Sequence, residues 1–283
     1  MKAVINKIIH SSVVDGPGNR AVIFLQGCNY NCGYCHNPET INRCINCGKC
    51  VAVCPTGALS YLKQLEQKVI WDESKCCQCD VCLAVCPNLS TPKTKEYSAQ
   101  EVMELIKNDL PFVRGITISG GECSLQRDFV VELFKLVKEK KRSTLMDSNG
   151  SYDYTSDEGL MAVCDGVMLD VKVWDDEEHK KLTGLSSKPV IENAVKLAKA
   201  GKLEEIRTVV VPGYLDNRTT VDEITKLLAP YQRDKTIRYR ISAYRPFGVR
   251  EPYIGEFKSP TREELESLAE VARNNGFSDI VII

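Results

Sequence analysis

Histidine is nearly missing from this 283-residue chain: only His10, His36 and His179 are present. Three scattered imidazoles argue against a histidine-rich metal centre and against a His-based catalytic triad. Long apolar runs are missing too, and nothing approaches the roughly 20 residues a helix needs to cross a bilayer. The segment Met1–Ile9 is too short for the apolar stretch of a secretory signal and is broken by Asn6 and Lys7. An excess of either charge is also lacking, with 37 Lys and Arg against 38 Asp and Glu. Nothing therefore points to nucleic acid or a membrane surface as partner, and a soluble, cytoplasmic protein is expected.

Cysteine is what the chain has in plenty, 14 in all. In a chain of this length without a secretory signal, metal binding explains them better than disulfides. Three lie in one short stretch, Cys28-Asn-Tyr-Asn-Cys32-Gly-Tyr-Cys35. Three thiolates can hold three irons of a [4Fe–4S] cluster and leave the fourth open to a small molecule, as an open position separates catalytic from structural zinc sites. A zinc loop is the rival reading, but zinc sites usually pair their ligands to close four positions. Between Cys44 and Pro87 the spacing C-x2-C-x2-C-x3-C-P occurs twice. This is the two-cluster bacterial ferredoxin run, in which the fourth Cys of each run serves the other cluster. It assigns Cys44, Cys47, Cys50 and Cys86 to one cluster and Cys76, Cys79, Cys82 and Cys54 to another. Eleven thiols then serve three clusters, leaving Cys77, Cys123 and Cys164, of which Cys77 reads as an unused neighbour. The domains expected are a ferredoxin-like insert at 44–91 and a core made of 1–43 and 92–283, with Leu59–Leu62 in a small ribbon between the two runs.

The remainder alternates strand and helix patterns. Ala3–Ile9 reads as a preliminary edge strand and Ala21–Leu25 as a buried one ending just before Cys28. Further strands are expected at Gly115–Ser119, Thr144–Met146, Val167–Val171, Ile206–Val211 and Ile237–Ala243, with a last one at Asp279–Ile283. Ser98-Ala-Gln-Glu101 is a capping box for a helix with Val102, Leu105 and Ile106 inward. Other helices are expected at Phe129–Lys138, Ile191–Ala200, Val221–Leu228 and Arg262–Asn274. Six strands each followed by a helix favour α/β architecture with a parallel, barrel-like sheet. The polar motifs all fall just past strands: Cys28–Cys35, Gly120-Gly121-Glu122, Asp147-Ser148-Asn149-Gly150, Asp170-Val-Lys172, Pro212-Gly213 and Tyr244-Arg-Pro246. In such a sheet those ends converge on one face, where active sites are built. Taken singly, a Gly-Gly-Glu is more often an ordinary turn, and Asp147 and Asp170 read equally as structural acids paired with Lys172.

Together with Asp15-Gly-Pro-Gly-Asn-Arg20, Phe24-Leu-Gln-Gly-Cys28 and Tyr34-Cys-His-Asn-Pro38, these motifs resemble the radical S-adenosylmethionine (SAM) enzymes. In particular they resemble the glycyl-radical-enzyme activases related to pyruvate formate-lyase activating enzyme. The double-cluster insert and the wording Asp165-Gly-Val-Met-Leu-Asp170 are similar to the YjjW-type branch. The resemblance implies a partial (β/α)6 TIM-like radical SAM barrel with an inserted two-[4Fe–4S] ferredoxin domain. It implies SAM bound at the open iron of the Cys28, Cys32 and Cys35 cluster, and one-electron cleavage to a 5′-deoxyadenosyl radical that takes Hα from a glycine of a partner enzyme. By the same resemblance Gly120, Gly121 and Glu122 bind the SAM amino end, Tyr34 and His36 flank the adenine side, and Lys172 contacts SAM. Asp147, Ser148, the Met168 carbonyl and Asp170 would hold a monovalent cation. Flavodoxin or ferredoxin would donate electrons. Two departures stand out: Cys123 replaces the Pro the family often has, and no His follows Pro212-Gly213. The alternatives left open are a radical SAM enzyme acting on a small molecule or peptide, and a ferredoxin-type electron carrier.

Overall fold

The structure, a computed structural model, describes residues 1–62, 65–233, 235–246, 249–250 and 253–283. The chain begins with β1 (Lys2–Ser12), β2 (Arg20–Leu25), α1 (Lys49–Ala52), β3 (Leu59–Leu62), β4 (Leu65–Trp71) and α2 (Val81–Ala84). It continues through β5 (Lys95–Ser98), α3 (Ala99–Ile106), β6 (Gly115–Gly120), α4 (Arg127–Glu139), β7 (Ser143–Ser148) and α5 (Glu158–Val163). Next come β8 (Gly166–Asp170), α6 (Asp176–Thr183), α7 (Lys188–Lys199) and β9 (Leu203–Val210). The last elements are α8 (Asn217–Leu228), β10 (Arg238–Ala243), α9 (Arg262–Asn274) and β11 (Ile280–Ile282).

Nine strands make one sheet in the order β11-β10-β9-β8-β7-β6-β2-β1-β5. From β2 to β11 every neighbouring pair is parallel, whereas β1 lies antiparallel to β2, and β5 to β1. All six expected strands are present in sequential order, and β11 is the last strand expected after them. The sheet is mostly parallel and open, with β5 and β11 as its edges. Successive side chains alternate between its faces. Ile23, Ile116, Ile118, Met146, Leu169, Ile206 and Ile241 pack with helix residues Val102, Leu133, Ala194, Ile224 and Leu268 in one core. Thr117, Ser119, Leu145, Asp147, Met168, Asp170 and Arg207 fall on the opposite, largely polar face.

Helix starts follow their caps. The Ser98 capping box is formed, with Glu101 N–H to Ser98 Oγ at 3.2 Å and Ser98 N–H to Glu101 Oε2 at 2.7 Å. Leu105, expected inward, is instead 45% exposed, and Ala99 joins Val102 and Ile106 in the core. α8 starts four residues before the expected Val221 because Asp216 accepts the Thr219 N–H at 3.0 Å. α7 starts at Lys188, with Pro189 preset for its first turn. α6 was not expected. Asp175 caps it, and only His179, Leu182 and Thr183 are buried, too thin a stripe to read as periodic.

Between β2 and β5 the chain builds a separate small core from Cys50, Leu59, Val69 and Cys82. The antiparallel β3–β4 ribbon supplies two of these and the short helices α1 and α2 the other two. Both short helices follow a left-handed residue, Gly48 (φ 75°) and Asp80 (φ 56°).

Candidate active site

The cysteine loop is fixed at its root before any cofactor is considered. β2 ends at Leu25, and the Gln26 amide then donates to the carbonyls of Glu39 and Asn42, each at 2.6 Å. Gly27 N–H and Cys28 N–H bond to Thr40 O and Ile41 O, both at 2.8 Å. The Gly-Gly-Glu turn after β6 is stitched alongside, with Gly121 N–H to Leu25 O at 3.0 Å and Glu122 N–H to Gly27 O at 2.7 Å. A Cβ on Gly121 would lie 2.1 Å from Gly27 O and 2.9 Å from Thr40 O, both backbone atoms that cannot swing aside. Gly121→Ala is therefore expected to push the turn off the cysteine loop. The measured result should be a lower melting temperature and loss of about four irons, one cluster's worth; an unchanged melting temperature and iron content would show that the close packing is unimportant.

Cys28, Cys32 and Cys35 line one cavity of about 270 Å³. Tyr34, His36, Gly120, Gly121, Asp147, Ser148, Asp170 and Lys172 line it too, so most of the expected site converges. Burial pushes the Cys28 thiol up to about 12 and Cys35 to about 11, and Cys32 rises for the same reason. Iron binding there must therefore displace protons. Among the described residues no three His, Cys, Asp or Glu side chains converge on one ion position. A cubane does not require that, since each thiolate takes its own iron. The hydroxyls of Tyr30 and Tyr34 and Nε2 of His36 are buried and have no hydrogen-bond partner among the described residues. All three residues line the cavity, and orphaned polar atoms of this kind suit a polar ligand.

Charge is arranged in pairs. Lys172 Nζ lies 2.9 Å from Asp170 Oδ2 and 5.8 Å from the centroid of the Tyr34 ring. Burial works against the Lys172 charge, but Asp170 and the neighbouring Tyr34 and Cys32 hold its pKa well above the usual value. Arg207 lies 2.8 Å from Asp147 Oδ1, and Ser119 Oγ donates to the other Asp147 oxygen at 2.9 Å. Burial pushes the Asp147 carboxyl up to about 6, with Arg207 pulling the other way.

Three residues expected at the site have side chains engaged within the protein. The Glu122 carboxylate is buried away from the cavity. It accepts Ser124 N–H at 3.0 Å, Asn149 N–H at 2.8 Å and the Ser148 hydroxyl at 3.0 Å. Ser148, next to Asp147 on β7, turns its hydroxyl to Glu122 and accepts from the Tyr154 hydroxyl. Met168 Sδ is spent on Arg207 at 3.0 Å. Asp147 and Asp170 already hold cationic side chains, and the Ser148 hydroxyl lies across the strand. The chemistry below uses no monovalent ion.

Several residues were missed by reading motifs alone. Asn149 donates to Asn29 Oδ1 at 2.8 Å, and Asn29 donates to Ser151 Oγ at 2.8 Å, tying the turn after β7 to the cysteine loop. Arg250 donates to the carbonyls of Asn31 (3.0 Å) and Cys32 (3.1 Å) and to Asn31 Oδ1 (2.7 Å). The Asp-Gly-Pro-Gly turn lies on the polar face, where Thr117 Oγ1 donates to Asp15 O at 2.7 Å and Arg240 to Val14 O at 2.7 Å. Gly16 has φ 123°, and a Cβ there would meet Arg20, Leu145 and Met168 within 3.2 Å. No side chain but hydrogen fits that turn against the sheet.

The thiols from Cys44 to Cys86 fall into two groups. Cys44, Cys47, Cys50 and Cys86 line one small cavity, and Cys54, Cys76, Cys79 and Cys82 line a second. Cys82 reaches both, and Cys77 reaches the second. Cys123 and Cys164 are instead buried in the main core, donating to the carbonyls of Asp147 (3.3 Å) and Gly166 (3.2 Å). Among the described residues no helix is long and apolar enough to cross a membrane.

The radical SAM superfamily pattern matches residues 22–228. The chain is 33% identical to the (2S)-3-sulfopropanediol sulfolyase activating enzyme of Bilophila wadsworthia, over 91% of this chain and 88% of that protein. It is 30% identical to the pyruvate formate-lyase-activating enzyme of Streptococcus mutans, over 94% and 89% respectively. Among solved structures, QueE from Escherichia coli shares the fold, with a TM-score of 0.55 at 14% identity, covering 100% of this chain and 94% of that one.

Proposed function

The chain belongs to the radical SAM superfamily, among its glycyl-radical-enzyme activating enzymes, and from that premise we infer how its own residues divide the work. The observation that carries the assignment of roles is the convergence of Cys28, Cys32 and Cys35 with Gly120, Gly121, Asp170 and Lys172 on one cavity. When bound, the cluster supplies the electron that cleaves SAM to methionine and a 5′-deoxyadenosyl radical, which removes Hα from a glycine of the partner enzyme. The protein's task is to bind, orient and shield.

Cys28, Cys32 and Cys35 hold the cluster with one iron free of protein ligands. Lys172, kept charged by Asp170, would contact SAM. Gly120 and Gly121 let backbone approach the amino end. Tyr34 and His36 take the adenine side, where burial lowers the His36 pKa and favours the neutral ring. Glu122 acts one step back: it locks the turns carrying Gly121 and Asn149 to each other. No side-chain acid or base is needed, because the glycine loses a hydrogen atom and not a proton.

The insert is read as a domain at 44–91 holding two closed [4Fe–4S] clusters, within a core formed by 1–43 and 92–283. Cys44, Cys47, Cys50 and Cys86 hold the first of them; Cys54, Cys76, Cys79 and Cys82 hold the second. With SAM's cluster this makes three. What supports the reading is that each set of four lines its own cavity. Closed ligand sets leave no iron for SAM, so relaying electrons from a flavodoxin or ferredoxin is the economical role.

The test is anaerobic mixing of the reduced protein, SAM and a cognate glycyl radical enzyme deuterated at its target glycine. The expected result is a glycyl radical doublet in EPR, with deuterium in the 5′-deoxyadenosine. Deuterium arriving only from a small molecule, with no radical on any such partner, would reject the activase reading.

A further inference from the structure

The two halves of the insert repeat each other in backbone as well as in spacing. In the first, Asn46 and Gly48 are left-handed at φ 57° and 75°. In the second, Gln78 and Asp80 are left-handed at φ 56° and 56°. The residue after the leading cysteine is therefore equivalent in the two halves: Ile45 after Cys44, and Cys77 after Cys76. Each lines its own half's thiol cavity and each is exposed. The first half carries at this place a side chain that cannot bind iron. The second carries a thiol beyond the four assigned to its cluster, whereas the fifth cysteine at the first cavity, Cys82, is already assigned to the second cluster. Cys77 also differs from the other two thiols without a cluster, Cys123 and Cys164, which are fully buried in the main core.

Resting on the three-cluster reading, we propose that Cys77 is a reserve ligand of the second cluster, able to take over the iron held by Cys76. The exchange breaks one Fe–S bond to Cys76 and forms one to Cys77. The proton of the Cys77 thiol passes to the departing Cys76 sulfur, and no electron moves. Neighbouring Cα atoms lie only about 3.8 Å apart, so the replacement needs a local adjustment of the loop and no change of fold. The location suits a reserve. Cys79 is exposed and Cys76 and Cys54 are partly so, as Cys47, Cys44 and Cys86 are in the other set, so an oxidant can reach ligands at both ends and only the second has a spare thiol beside them.

Iron content and EPR of the full chain, reconstituted without oxygen, test the proposal. Unaltered protein should hold about twelve irons and Cys44→Ala about eight, because Ile45 offers no substitute. Cys76→Ala should keep about twelve, with a reduced-cluster EPR signal of altered g-values, and Cys76→Ala/Cys77→Ala should fall to about eight. Iodoacetamide should label Cys77 in the unaltered protein and fail to label it in Cys76→Ala. A transplant gives an answer even if Cys76→Ala does not fold: Cys44→Ala/Ile45→Cys should regain the irons that Cys44→Ala lost. Loss of iron from folded Cys76→Ala to the level of Cys44→Ala, or no recovery in the transplant, overturns the reserve ligand and leaves the three clusters standing. An unaltered protein with only about four irons instead overturns the three-cluster reading itself.

Discussion

Replacing Cys28, Cys32 and Cys35 together by alanine should abolish SAM cleavage and take iron from about twelve to about eight per chain. The two effects belong together because these are the only thiols lining the 270 Å³ cavity among the described residues. Cys123, though near in sequence to the Gly-Gly-Glu turn, cannot deputise: it is fully buried on the helix-covered side, donating to Asp147 O. The remaining irons should stay because their thiols line separate cavities. Folding should survive, since the three cysteines lie outside the main core and the loop's root is held by Gln26, Gly27 and Thr40. Iron and SAM cleavage assays with dithionite as reductant decide the matter. Cleavage retained by the triple variant would place the open iron elsewhere, and loss of all the irons would deny that the insert's clusters are independent.

What could be read from the sequence follows from what each signal depends on. Ligand spacing within a loop is local, so the cysteine sets could be named without knowing the fold. Buried parallel strands are short apolar runs, and these too are local. The contacts of Asn149 with Asn29, and of Arg250 with Asn31, join residues more than a hundred positions apart, where spacing carries no information. One side-chain arrangement was legible and went unread. Asp147 and Ser148 are adjacent on a strand, so their side chains face opposite ways, which is why the Ser148 hydroxyl reaches Glu122 while Asp147 meets Arg207. Arg207 also left a signal that went unread: a guanidinium inside the apolar run Ile206–Val211 has to find an acid or leave the sheet.

That arginine carries the largest stability effect to expect outside the hydrophobic core. Its side chain is 12% exposed and bridges Asp147 at 2.8 Å and Glu205 at 2.5 Å, the latter also approached by Arg240 at 3.3 Å. Arg207→Met keeps the volume and removes the charge, leaving Asp147 with Ser119 alone. Breaking a buried pair on one side typically costs ~3–5 kcal/mol, which for a chain of this size lowers the melting temperature by roughly 10 °C. Removing the stranded acid as well, in Asp147→Asn/Arg207→Met, should recover more than half of the loss, because Glu205 keeps Arg240 and the cost lies in the Asp147 charge. The deficit should also depend on pH in a fixed direction. Asp147 titrates at about 6 in the folded protein, and without Arg207 it must rise further, while in the unfolded chain an aspartate titrates at about 3.9. Between those values the folded state binds more protons than the unfolded one, so stability falls as pH rises, by up to about 1.4 kcal/mol per unit. The Arg207→Met deficit should therefore be smallest near pH 5 and grow towards pH 8. A deficit that stays constant across that range, or persists in full in the double variant, would mean that Arg207 stabilises the sheet by packing and not by holding Asp147.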